Sequence, residues 1–128
     1  MRMMSFALTE SQLMDGSKTV TRRTGWLTLT PSTRLLAVRK AMGLKPGEKV
    51  QPLCEIEVVS VRREYLSDID KADCIAEGFP HLSPDEFALM FRKHMGIKVP
   101  PDEFQVTRIE FRKVPSTERV ASQASLSL

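Results

Sequence analysis

The chain has 128 residues, 41% of them hydrophobic and 27% charged, with a formal net charge of +3. That length supports one domain with a single core, since domains commonly run to about 100–150 residues. No stretch approaches the roughly 20 apolar residues of a membrane span, and residues 1–8 run into Thr9 and Glu10 too soon for a signal peptide, so a cytosolic protein is expected. Cys54 and Cys74 belong to no CxxC pair and are expected to be reduced. His81 and His94 repeat no zinc-ligand spacing, and each is expected at the surface or in a cap. Neither a metal nor a cofactor is expected.

Residues 3–6 are expected to form a short strand. Thr9 and Gln12 have the Thr-x-x-Gln spacing of a capping box, in which two side chains satisfy free amides at a helix start, so a short helix over 10–15 follows. Gly16 then ends it in the left-handed conformation that glycine tolerates. Residues 18–23 are expected to be extended, with Val20 the sole apolar anchor, and 26–29 continue as a strand or an irregular arm. Thr30 and Pro31 open a helix through about residue 42. Proline suits the first helical position, Leu35, Leu36, Val38 and Met42 supply apolar positions, and Gly43 supplies the stop.

Residues 50–62 make the strongest strand. Cys54, Ile56 and Val58 alternate with Glu55 and Glu57, and the apolar phase then moves to Val59 and Val61. The slip predicts a bulge, which bends a strand as in a barrel, so a small closed or nearly closed sheet is expected. Residues 67–77 read as a short helix. Ser83, Pro84 and Glu86 combine an N-cap, a first-turn proline and a reciprocal glutamate, giving a helix to about His94 that buries Phe87, Met90 and Phe91 and ends at Gly96. Residues 104–114 form the last strand, with a second bulge near Val106 to reconcile its two apolar phases. The domain is expected to span residues 1–114, followed by a flexible Ser-rich tail over 115–128.

Charge is unevenly spread. Residues 1–50 hold nine Lys and Arg against three Asp and Glu, whereas 51–114 hold nine against twelve. The basic half fits an electrostatic footprint for phosphate, or equally a solvated surface. Residues 16–26 concentrate it, with Lys18, Arg22, Arg23 and three threonines between two glycines and Trp26 directly after the second. Such a mixture offers hydrogen-bond donors to phosphate, to a carbonyl or to a base edge, and an indole for stacking. The plainer readings are an edge strand protected by its charges and a tryptophan in the core. Lys18 and Thr21, three apart, share a cleft only if the chain turns between them. Glu77 sits near a helix C-terminus, where partial negative charge disfavours a carboxylate; its plain reading is a pair with Lys71 or Arg62.

The run from Gly16 to Arg23, then Ala76-Glu77-Gly78-Phe79, then the strand Val106 to Phe111 resembles the ASCH domain family over residues 3–114. The resemblance implies an α+β, PUA-like fold, a small β-barrel of about five to six strands with three to four flanking helices. It implies a cleft at the barrel mouth for RNA, a nucleotide or a nucleoside. Members are described as RNA-binding or as candidate ribonucleases, and similar small proteins are amidohydrolases that deacetylate acetylated cytidine with a Lys, a Thr and a Glu. Those three match Lys18, Thr21 and Glu77. Residues 30–44 add a helix-sized stretch that the smallest such hydrolases lack. Two functions are therefore expected in competition. One is an RNA- or nucleotide-binding module whose basic cleft is lined by Lys18, Arg22 and Arg23, with Trp26 stacking. The other is a hydrolase in which Thr21 attacks, Lys18 with a lowered pKa takes the proton, and Glu77 orients Lys18 or protonates the leaving amine.

Overall fold

The alternating patterns assemble into one mixed sheet of five strands in the computed structural model, which describes residues 1–115 and 118. The strands are β1 (Met3–Ser5), β2 (Val20–Arg23), β3 (Arg34–Val38), β4 (Pro52–Tyr65) and β5 (Gln105–Lys113), in spatial order β1-β3-β4-β5-β2. β1 lies parallel to β3 and the other pairings are antiparallel. Among the described residues three helices flank the sheet: α1 (Glu10–Asp15), α2 (Lys71–Ala76) and α3 (Pro84–Met95). The architecture is α+β, as expected, but the sheet is open. β1 and β2 are its edges, and no backbone ladder joins them. A side chain spans the gap instead, with Arg23 Nη2 donating to the Ser5 carbonyl at 2.7 Å. The expected flexible tail falls outside the described residues, apart from Pro115 and Glu118.

The expected helix over residues 30–42 is strand β3. Leu35 and Ala37 are fully buried while Leu36 is half-buried, the alternation of a sheet. Both edges of β3 are occupied, by β1 and by β4, and that pairing overrides the helical propensity of leucine and alanine. The Thr9–Gln12 capping box does not form. Thr9 makes no side-chain cap, its N–H donates instead to the Phe6 carbonyl at 3.1 Å, and the Gln12 amide donates to the Gly78 carbonyl at 3.2 Å. Gly16 does end α1 in the left-handed conformation, at φ 84°. Ser83 and Glu86 form the full capping box of α3, and Gly96 closes that helix. The expected helix over 67–77 is split into a 3₁₀ turn (Leu66–Asp68) and α2, with the Asp70 carboxylate accepting from the Asp73 N–H at the break.

The bulge in β4 lies where the phase slips. Val58 pairs with Phe111 and Ser60 with Glu110, so Val59 is passed over and stands 46% exposed. No second bulge occurs near Val106, since β4 and β5 pair without interruption from Ser60 to Tyr65. The two phases of β5 are buried because the sheet is covered on both sides there. Ile109 and Phe111 enter a core with Met4, Phe6, Leu13, Leu35, Ile56 and Val58. Val106 enters a second core beneath α2 and α3, with Leu66, Cys74, Phe87 and Phe91.

If residues 34–38 pack as a strand, the two leucines must differ. Leu35→Ala is expected to cost about 2–5 kcal/mol and Leu36→Ala clearly less, by urea unfolding. Equal costs would contradict the alternation.

Candidate functional site

The gap between the two sheet edges is where the sequence-predicted residues meet. Gly16 turns the chain out of α1, the Lys18 N–H donates to the Gln12 carbonyl, and the Thr19 N–H donates to the Ala76 carbonyl at 2.8 Å. β2 begins only at Val20, so Lys18 precedes the regular strand and does not alternate with Thr21. Both side chains line one cavity of about 160 Å³, together with Arg22, Arg23 and Glu77. Its apolar wall comes from Phe6, Phe79, Phe87 and Phe91, and His94 of α3 stands on it too.

Lys18 is 4% exposed and Glu77 3%. Lys18 Nζ donates to Glu77 Oε1 at 2.9 Å and to the Glu77 carbonyl at 2.7 Å. Burial pushes the lysine below its ordinary pKa; the charge of Glu77 opposes this, and Arg23 and Arg22 add to the fall. Glu77 occupies the cap position at the end of α2. The plain partners expected for it are engaged elsewhere. Lys71 Nζ donates to the carbonyls of Pro80 and Leu82, and Arg62 Nε donates to Glu64. Gly78 follows at φ 96°, and a β-carbon there would lie 3.0 Å from the Gln12 side chain. A side chain at this position would be strained in backbone and in space.

Thr21 is 3% exposed, and its Oγ1 accepts from Arg23 Nε at 3.0 Å. Burial brings the Arg23 guanidinium down to about 10, against the pull of Glu77, so it stays cationic at neutral pH. Its charge lies 4.9 Å over the ring of Phe6.

Arg22 was expected to meet phosphate. It lines the cavity, but its guanidinium is bound inside the protein by three carboxylates. Nη1 donates to Glu77 at 3.2 Å, and Nη2 donates to Glu64 at 2.6 Å and to Asp73 at 2.5 Å. Burial works against its charge, yet the hydrogen bond to Asp73 and the three carboxylates hold its pKa above the ordinary value. Trp26 is half-buried at φ 60°, packs against the first core, and carries the Arg2 guanidinium 4.1 Å over its ring. One face of the indole is thus covered by a cation.

Asp73 and Arg108 belong to the same charged network, and the sequence reading missed them. Arg108 holds Asp73 with Nε to Oδ2 at 2.6 Å and Nη2 to Oδ1 at 2.9 Å. These hydrogen bonds, with help from Arg22, keep the Asp73 carboxyl well below the usual carboxylate range. Two signals were available: Asp73 is four residues before Glu77, on the same side of a helix, and Arg108 shares the sheet face of Val106. Among the described residues, no group of three His, Cys, Asp or Glu is placed to hold a metal ion, and no helix is long and apolar enough to cross a membrane.

No protein-family model and no curated protein matches the chain. Solved structures do. An ASCH domain from Lactobacillus crispatus JV V101 matches with a TM-score of 0.61 at 17% identity, covering 88% of this chain and 78% of that one. A DUF984-family protein from Enterococcus faecalis V583 matches with a TM-score of 0.59 at 16% identity over 82% of this chain and 66% of that one. The chain thus spans just under two thirds of the Enterococcus protein. A mutant ASCH protein from Zymomonas mobilis matches with a TM-score of 0.52 at 13% identity, over 91% and 76% of the two chains. At these identities the likeness is one of fold: the chain has the fold of the ASCH domains.

Proposed function

We propose that the cavity hydrolyses a small amide borne on a nucleobase, of the acetylated-cytidine kind, with Thr21, Lys18 and Glu77 carrying the reaction. The supporting observation is that a buried lysine, pushed toward its neutral form and held by Glu77, shares one apolar-walled cavity with a threonine hydroxyl. A volume of about 160 Å³ is close to the roughly 150 Å³ of a cavity that takes up benzene. It suits one pyrimidine ring, with the sugar at the mouth.

In this reading Thr21 Oγ1 adds to the acyl carbon while its proton passes to Lys18 Nζ. The tetrahedral adduct collapses, the C–N bond breaks, and Lys18 returns the proton to the departing exocyclic nitrogen. Water then adds to the acyl-threonine ester, again giving a proton to Lys18, and acetate leaves as Thr21 recovers its hydroxyl. Glu77 fixes the ammonium through Oε1 and through its own carbonyl. Arg23, donating to Thr21 Oγ1, favours loss of that hydroxyl's proton and the later departure of the same oxygen from the ester.

A second reading, binding of RNA or a nucleotide without chemistry, is favoured by one observation. Arg23 lines both this cavity and an adjoining groove that holds Trp26 and Lys40, which gives a strand a continuous path. Because Arg22 is taken up internally, few phosphates would be contacted.

Acetylated cytidine incubated with the protein is expected to yield cytidine, followed by chromatography. Lys18→Ala, Thr21→Ala and Glu77→Gln should each lose at least about 100-fold in kcat/KM. Absence of turnover by the folded wild type would eliminate this substrate. The rate should rise with pH through the lowered lysine pKa, because only neutral Lys18 accepts the proton. For single-stranded RNA, affinity should fall no more than about sevenfold between 50 and 200 mM salt, the slope of about two phosphates. A much steeper loss would favour an extended phosphate-binding surface.

A further inference from the structure

The hydrolytic scheme leaves Arg22 without a task, yet its side chain is 1% exposed and ion-paired to three acids. From there it cannot reach a ligand's phosphate without giving up buried partners. It lies in an unbroken chain of contacts: Arg108 to Asp73, Asp73 to Arg22, Arg22 to Glu77 Oε2, and Glu77 Oε1 to Lys18. The two oxygens of one carboxylate are therefore divided between a guanidinium and the lysine.

Resting on the hydrolytic reading above, we propose that Arg22 is a positioning residue acting through Glu77: by taking Oε2 it leaves Lys18 a shared carboxylate, and so lets Lys18 give up and regain its proton within the cavity. A carboxylate wholly committed to a buried lysine favours the ammonium form strongly, because opposite charges attract far more in a dry interior than in water. A guanidinium keeps its charge throughout, so sharing with Arg22 weakens that hold permanently. The charge count agrees. Glu64, Asp73 and Glu77 are met by Arg22, Arg23 and Arg108. Setting aside Arg62, which touches Glu64 from the solvent side at 61% exposure, the cluster balances when Lys18 is neutral.

The groups facing Lys18 are otherwise few. Glu77 approaches from the end of α2 and Arg22 and Arg23 from β2, and α3 brings His94 to the same cavity. Residues 5–9 carry no charge, and on α1 Glu10 is bound by Arg39 while Asp15 accepts the Ser17 N–H. Glu77 is thus the largest opposing charge that Lys18 meets, and the division of its carboxylate is a setting that a substitution can change.

The test follows the titration of the Lys18 side chain by NMR of isotopically labelled lysine, assigned by its loss in Lys18→Arg. Arg22→Gln is expected to raise the Lys18 midpoint by about one pH unit or more, and Arg22→Lys by less. Arg108→Gln, which loosens Asp73 but does not touch Glu77, should lower stability and leave the midpoint within about 0.3 pH unit. On acetylated cytidine, the acidic limb of the kcat profile should move up with the midpoint in Arg22→Gln and stay in place in Arg108→Gln. A folded Arg22→Gln with an unchanged midpoint, or an equal move in Arg108→Gln, would overturn the proposal. Should Arg22→Gln not fold, Arg22→Lys against Arg108→Lys decides by the same comparison. If no protein turns over the substrate, the hydrolytic reading fails, while the titration midpoints still decide whether Arg22 acts on Lys18 through Glu77.

Discussion

A carboxylate at the end of α2, with only 3% of its residue exposed, imposes a demand that the rest of the molecule has to meet. A helix C-terminus already carries partial negative charge, and a buried anion without partners would cost several kcal/mol. Lys18 and Arg22 answer that demand from the segment leading into β2 and from β2 itself. The Thr19 N–H, bonded to the Ala76 carbonyl, ties the same two segments through the backbone. β2 is therefore docked against α2 by charge as well as by its ladder with β5. Removing one partner of such a pair typically costs about 3–5 kcal/mol, because the other is left buried and uncompensated. The groups proposed for chemistry are also groups on which the edge of the sheet depends.

This coupling explains which parts of the molecule were legible in the sequence. Features decided by a few neighbouring residues were readable: the capping box of α3, the left-handed Gly16, and the slip from Val58 past Val59. Each rests on local backbone chemistry. Residues 34–38 were misread because leucine and alanine suit a helix locally, while a partner on either side makes them a strand. The Thr9–Gln12 motif failed for a related reason, since Gln12 is drawn to the Gly78 carbonyl, 66 positions away.

At the site, Lys18, Thr21 and Glu77 could be singled out as candidates from the sequence, but their arrangement could not be read. Their spacing along a regular strand would have separated Lys18 from Thr21; the late start of β2 removes that separation. The internal pairing of Arg22 was not legible, because a sequence shows cations without their counterions. Its partners Glu64, Asp73 and Glu77 lie 42, 51 and 55 residues away, beyond any local pattern. The excess of basic residues in the first half of the chain is in part the complement of an acidic second half.

The open sheet gives these details a common setting. Had β1 and β2 paired directly, their ladder would have filled the space between Ser5 and Arg23. The edges instead stand apart, bridged by one arginine side chain, and the phenylalanines of the 79–91 region and Phe6 wall the opening with apolar surface. Backbone groups freed at an edge are a hazard for aggregation; here the Ser5 carbonyl is taken by Arg23. The same guanidinium donates to Thr21, so the group that closes the gap also touches the candidate nucleophile. A change at Arg23 would therefore alter the shape of the gap and the chemistry of Thr21 together, whereas a change at Arg22 would bear on Lys18 through the Glu77 carboxylate that the two share.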